Sequence, residues 1–160
     1  MASIRVGIAE LHLAQDPAVL VARGLGSCLA VMVYDSVRRC GGLAHVLLPE
    51  PHDDLAVDKP GTYVTTAVRE LVDALEASGS QRGDLVAKLV GGSQMFEAFS
   101  ERVEAVGVRN LTKALEILEQ HQIPVVAQET GGSRGRSLEF DLASGKVIVN
   151  TVRAVQPTVL

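Results

Sequence analysis

The sequence has no tryptophan, and aromatic residues make up only 3% of it. It has no excess of basic charge: 15 Lys and Arg stand against 19 Asp and Glu, a formal net charge of -4. A nucleic-acid binder wants a basic stripe and rings on which bases stack, so that class is excluded. No apolar run approaches the ~18 to 20 residues needed to span a bilayer, which argues against membrane insertion. The start, Met1-Ala2-Ser3-Ile4-Arg5, lacks the basic-then-apolar order of a secretory leader. The expected location is therefore cytoplasmic. Cysteine is scarce, with only Cys28 and Cys40. A structural disulfide is not expected in a reducing compartment, so each is either a buried apolar residue or a reactive thiol.

What is present is enough for a core. At 160 residues, with 47% hydrophobic and 21% charged residues, the chain reads as one domain over 1–160, a size that buries ~70% of its unfolded surface. Ile4, Val6 and Ile8 alternate with Arg5 and Gly7, the period of a strand. Ala18 to Ala22 reads as a second strand, and Arg23 to Ser27 as a glycine-punctuated bend. Leu29 to Tyr34 is a short continuous apolar run, as in a strand buried on both faces, and Gly41 to Leu48 returns after a turn at Asp35–Arg38. Pro49 to Gly61 reads as a loop.

Thr62 to Ser78 carries one apolar face and stops at Gly79, which is a helix pattern. Leu85 to Val90 is a strand ending in Gly91-Gly92. A short helix is expected from Ser93 to about Arg102, capped by Ser93, and another from Leu111 to His121, capped by Asn110. Ile123 to Gln128 is a strand. Leu138 to Leu142 and Lys146 to Val152 make a hairpin. The class is α+β: eight or so strands, mostly antiparallel, with about three helices.

The stretch from Cys28 to His45 carries the chemistry. A two-residue hairpin loop at Ser36-Val37 pairs Asp35 with Arg38, Tyr34 with Arg39 and Cys28 with His45. Directly opposed residues share a face, with Cβ atoms ~5 Å apart, so a thiol would lie beside an imidazole. A bulge or a longer turn shifts that register. The same register sets Cys40 opposite Val33 on the other face, as a small buried hydrophobe. A free cysteine, pKa ~8.5, is mostly protonated at neutral pH. A neighbouring histidine can take its proton, hold the thiolate as an ion pair and later protonate a leaving amine. Gly24 and Gly26 can aim backbone N–H groups at an oxyanion. The same residues also admit a plain reading: a buried thiol, a core histidine and a turn between strands.

These residues and others resemble the chemotaxis CheD family of chemoreceptor glutamine deamidases. The likeness runs through Gly24-Leu25-Gly26-Ser27-Cys28-Leu29-Ala30-Val31, Tyr34-Asp35, and Gly42-Leu43-Ala44-His45-Val46-Leu47-Leu48-Pro49. It continues through Tyr63, Ala87-Lys88-Leu89-Val90-Gly91-Gly92-Ser93-Gln94-Met95-Phe96, Gly107-Val108-Arg109-Asn110 and Gly131-Gly132-Ser133-Arg134-Gly135-Arg136. It implies a β-sandwich with helices on one side, similar to the catalytic domain of cytotoxic necrotizing factor toxins. It implies hydrolysis of receptor glutamines to glutamate with release of ammonia. The implied partners are the cytoplasmic helices of chemoreceptors and a CheC-type phosphatase. By position, the family nucleophile falls on Cys28 and its histidine on His45. Gly26 and Ser27 would support the oxyanion, and Tyr63, Gly91, Gly92, Ser93, Arg109 and Asn110 would line the substrate groove. No cofactor is implied.

Two positions depart from the family pattern. The threonine that orients the histidine, six residues before the cysteine, is here Ala22. Either another acceptor substitutes, a backbone carbonyl or a hydroxyl such as Ser27, Thr65 or Thr66, or the enzyme is slow. The basic residue before the long helix's tyrosine is Thr62. Ala22 favours a rival reading, a weakly active or inactive binding regulator of the phosphatase; methylesterase activity on receptor glutamyl esters is a third. Gly91-Gly92 lacks a following Gly-Lys-Ser/Thr and is no phosphate loop. His12, His52 and His121 lack ligand spacing, so no metal is assigned. Asp53-Asp54 reads as a solvated loop. Arg134 and Arg136 read as solvated or as contacts to an acidic partner.

Overall fold

A computed structural model describes residues 2–51, 59–94 and 105–160. His52, Asp53-Asp54 and most of the helix expected at 93–102 lie outside the described residues. Ten strands form two five-stranded sheets among the described residues. The first sheet runs β1 (Ser3–Arg5), β3 (Val19–Leu25), β8 (Arg136–Asp141), β9 (Val147–Thr151), β10 (Thr158–Val159). The second runs β2 (Leu11–Gln15), β5 (Cys40–Val46), β4 (Leu29–Asp35), β6 (Leu85–Gly91), β7 (Val125–Thr130). Among the strands of the described residues, only β1–β3 and β6–β7 pair in parallel. A parallel pair needs a crossover, and helix α2 (Val106–Gln120) lies between β6 and β7 in the chain.

Strand β4 is central and buried along its whole length, as its unbroken apolar run requires. Its two faces enter different cores. Leu29, Val31 and Val33 pack with helix α1 (Val64–Ala77) and α2 on the outer face. Ala30, Met32 and Tyr34 pack against Leu20, Leu138 and Phe140 of the first sheet. The scarce aromatics meet there: the Tyr34 and Phe140 rings contact edge to face at 5.7 Å. The Tyr34 hydroxyl donates to Leu142 O at 2.7 Å, which ties the sheets together.

Several expectations change. The strand expected over residues 4–8 stops at Arg5, and a turn leads to β2, an edge strand without strong apolar alternation. Two α-helices stand among the described residues, and the third expected, from Ser93 to about Arg102, falls mostly outside them. Asn110 does not cap α2. That helix starts at Val106, and Asn110 lies inside it. The cause is packing: α2 buries Gly107, Asn110, Ala114 and Leu118 as one stripe, and at Gly107 a Cβ would lie 2.3 Å from Ser93 O. None of these helices is long and apolar enough to cross a membrane.

Candidate active site

The β4–β5 connection is longer than the two-residue turn. Asp35 Oδ1 accepts from the backbone N–H groups of Val37 (2.9 Å) and Arg38 (3.1 Å), and Arg39 takes a left-handed φ of 51° before β5 begins at Cys40. An Asx turn of this kind extends the loop. The register is therefore Asp35 with Cys40, Leu29 with Val46 and Ala30 with His45. Cys28 does not stand directly opposite His45. The slip is two residues, which preserves the face because side chains alternate. Cys28 becomes the diagonal neighbour, ~7 to 8 Å away between backbones, still within reach of a long or ring side chain. Cys28 belongs to the core between the sheets and Cys40 to the core under the helices.

His45 is only 1% exposed. Its Nδ1 lies 3.2 Å from the carbonyl oxygen of Val6. A carbonyl only accepts, so Nδ1 carries the proton and Nε2 keeps its lone pair. Nε2 is buried with no hydrogen-bond partner among the described residues. Burial lowers the pKa of His45 below its ordinary value, opposed by the Val6 bond and by the Glu10 carboxylate. Burial likewise raises the Cys28 thiol, while the residue's own backbone N–H works the other way. Both directions favour the neutral thiol and imidazole over the ion pair expected of a cysteine beside a histidine.

Val6 also answers the question that Ala22 poses. The acceptor at His45 Nδ1 is a backbone carbonyl, held in place because Val6 N–H donates to Val21 O at 2.8 Å. Thr66 Oγ1 is occupied with Pro60 O (2.9 Å) and Tyr63 O (3.2 Å). Ala22 is fully buried in the core between the sheets.

The loop before Cys28 is fixed from three sides. Strand β3 carries a bulge between Ala22 and Leu25, where Gly24 takes φ 67°, so the strand extends to Leu25 and the bend narrows to Gly26-Ser27. From β6, Gly92 N–H donates to Cys28 O and Ser93 N–H to Gly26 O, both at 2.9 Å. Gly91 has φ 111°, and a Cβ there would lie 2.4 Å from Cys28 O, so glycine is required for that approach. From α2, Asn110 Nδ2 donates to Ser27 O at 3.0 Å.

Of the residues expected at the site, Gly26, Ser27, Gly91, Gly92, Ser93 and Asn110 therefore gather around the Cys28 backbone. Tyr63 pairs its backbone with Leu48, beyond the end of β5. Arg109 lies on the flank of α2 in a cleft with Pro49, Glu50 and Lys113. Arg136 is not solvated. It is 6% exposed, donates to Ser93 Oγ at 2.8 Å and Gly91 O at 3.3 Å, and pairs with Glu129 at 3.3 Å. Its parity with Leu138 and Phe140 on β8 was the available signal. The Val6 carbonyl had none, since a backbone group has no residue type. No three His, Cys, Asp or Glu side chains form a metal-binding group among the described residues.

The family model described as CheD chemotactic sensory transduction matches residues 47–151. The chain belongs to the CheD family. That match begins just past His45, but similarity to individual CheD proteins extends further. A protein of Desulforamulus reducens named probable chemoreceptor glutamine deamidase CheD is 41% identical over 152 residues, 94% of this chain and 92% of the relative. One of the same name from Moorella thermoacetica is 40% identical over 93% of this chain and 90% of its own length. The probable chemoreceptor glutamine deamidase CheD 2 of Geobacter metallireducens is 43% identical over 94% of both.

Proposed function

We propose that this chain, as a single domain over 1–160, hydrolyses glutamine side chains of chemoreceptor cytoplasmic helices to glutamate through a Cys28 thioester. The observation that carries the chemistry is the buried imidazole whose free Nε2 lone pair lies on the Cys28 face of the sheet. The substrate class rests on the CheD relatives and their names.

The resting thiol is neutral, so proton transfer accompanies attack. His45 Nε2 takes the thiol proton as sulfur bonds to the carboxamide carbon. Charge develops on the amide oxygen, where backbone N–H groups at Ser27–Cys28 hold it. His45 returns the proton to nitrogen, the C–N bond breaks and ammonia leaves. Water then attacks the thioester with His45 as base, giving the carboxylic acid and restoring the thiol. The Val6 carbonyl holds the imidazole tautomer through both stages, the part an orienting side chain plays in a triad. Ala22 therefore gives no ground for an inactive enzyme. A CheC-type phosphatase is the proposed regulatory partner, and the proposed location is the cytoplasm.

The test is ammonia release from receptor fragments, with mass spectrometry locating each glutamine converted to glutamate. The parent protein should convert specific glutamines, and Cys28→Ala none. Ammonia release that survives in Cys28→Ala would sink the thioester route. Binding of the phosphatase without any conversion would instead establish the regulator reading.

A further inference from the structure

Helix α2 puts one polar side chain on an otherwise apolar stripe. Its buried positions are Gly107, Asn110, Ala114 and Leu118, and Asn110 is fully buried. Asparagine is a poor residue for a helix interior, because its amide competes with the backbone. A buried amide also costs free energy unless bonded. The Asn110 amide nitrogen finds its bonds outside the helix, while Oδ1 is buried without a partner among the described residues. Nδ2 donates to Ser27 O at 3.0 Å and to Leu47 O at 3.2 Å. One carbonyl immediately precedes Cys28, and the other follows His45 by two residues. The two protons of a single amide nitrogen thus join the segments that carry the thiol and the imidazole.

We infer that Asn110 is a positioning residue, a clamp that sets the Cys28 loop against the end of the His45 strand, and not a wall of the substrate groove. This rests on the proposed Cys28–His45 pair. The diagonal register leaves the pair unsupported by direct cross-strand opposition, so the relative placement of the two segments depends on bonds made at their ends. Residue 28 precedes the first ladder position of β4, and residue 47 follows the last of β5. Asn110 bonds both segments just where the ladder stops. Neighbouring contacts converge there: Gly107 of the same helix abuts Ser93 O, and Ser93 N–H donates to Gly26 O at 2.9 Å.

The experiment compares Asn110→Ala and Asn110→Asp with Leu118→Ala, a packing control two turns along the same helix. Deamidation kinetics, thermal stability and the iodoacetamide rate of Cys28 are measured on each, with peptide mapping to separate Cys28 from Cys40. A clamp predicts that Asn110→Ala lowers kcat by about 30-fold or more with KM within about threefold, a split expected of a group that orients and does not bind. Its Cys28 should alkylate at least about tenfold faster, since the loop is released. Leu118→Ala should lower Tm more yet leave the Cys28 alkylation rate within about twofold. Asn110→Asp should lose most at neutral pH, where a carboxylate has no proton to donate, and its rate relative to the parent at the same pH should recover in part as pH falls and the carboxyl regains one. A change confined to KM would overturn the clamp in favour of a groove contact. An Asn110→Ala protein with both kcat and Cys28 alkylation unchanged would overturn it outright. If the parent releases no ammonia, the deamidase reading fails by itself, and the alkylation rates still decide the clamp.

Discussion

Cys28 and Cys40 are equally buried, each 7% exposed, and they sit at opposite ends of one hairpin. Cys40 lies under the helices, its sulfur 3.7 Å from the Ser80 hydroxyl. Cys28 lies between the sheets, on the face that holds a neutral imidazole with a free ring nitrogen. Burial is the same, so burial does not make a thiol a nucleophile. What sets the proposed nucleophile apart is a proton acceptor on the same face, together with a loop whose backbone is held from β6 and α2. The two residues are thus an internal control for each other.

The comparison breaks most sharply if the wrong cysteine matters. Cys28→Ala should reduce deamidation to background, at least ~10³-fold, with the fold retained because a methyl replaces a thiol of similar size. His45→Gln should cost ~10²- to 10⁴-fold, the range of general acid–base catalysis. Retention of activity by either protein, with circular dichroism showing a folded chain, would refute the pair.

The pH response sharpens the contrast. Burial holds the His45 pKa below 6.5 and the Cys28 pKa above 9.0. The acid limb of kcat/KM should therefore fall below 6.5, and alkylation of Cys28 should still be rising beyond pH 9.0. The same burial links to stability. Folded His45 resists protonation and the unfolded chain does not, so this contribution holds above 6.5 and is lost as pH falls through the lower folded value. Tm of the parent should drop more between pH 7 and 5 than Tm of His45→Gln. An acid limb above the ordinary histidine range would contradict the buried neutral imidazole.

Ala22→Thr asks whether the Val6 carbonyl already does the orienting. The rate should stay within about threefold of the parent or decline, since the added hydroxyl enters a filled core and needs its own partner, at a cost of ~1–3 kcal/mol in stability if it finds none. A tenfold rise in kcat/KM, ~1.4 kcal/mol of barrier, would show that His45 is loosely held. The smallest effect belongs to Cys40→Ala: kcat/KM within about twofold and a stability loss of ~1 kcal/mol or less for one buried sulfur. A large kinetic loss there would transfer the chemistry to the other core.

The sequence by itself determined the α+β class, the central buried strand, helix α1, the β8–β9 hairpin and the separation of the two cysteines onto opposite faces. Those follow from periodicity, and face parity survives a register slip of two residues. The family followed from motifs spread along the chain. The tertiary structure decided what depends on contacts between distant segments. The Asx turn at Asp35 set the true register. The Val6 carbonyl became the partner of His45, Arg136 turned inward against Ser93 and Glu129, and Asn110 left the helix cap for the buried stripe. A backbone carbonyl has no residue type to read. A polar side chain reads as solvated until its buried partners, over 80 residues away for Asn110 and Ser27, are brought beside it.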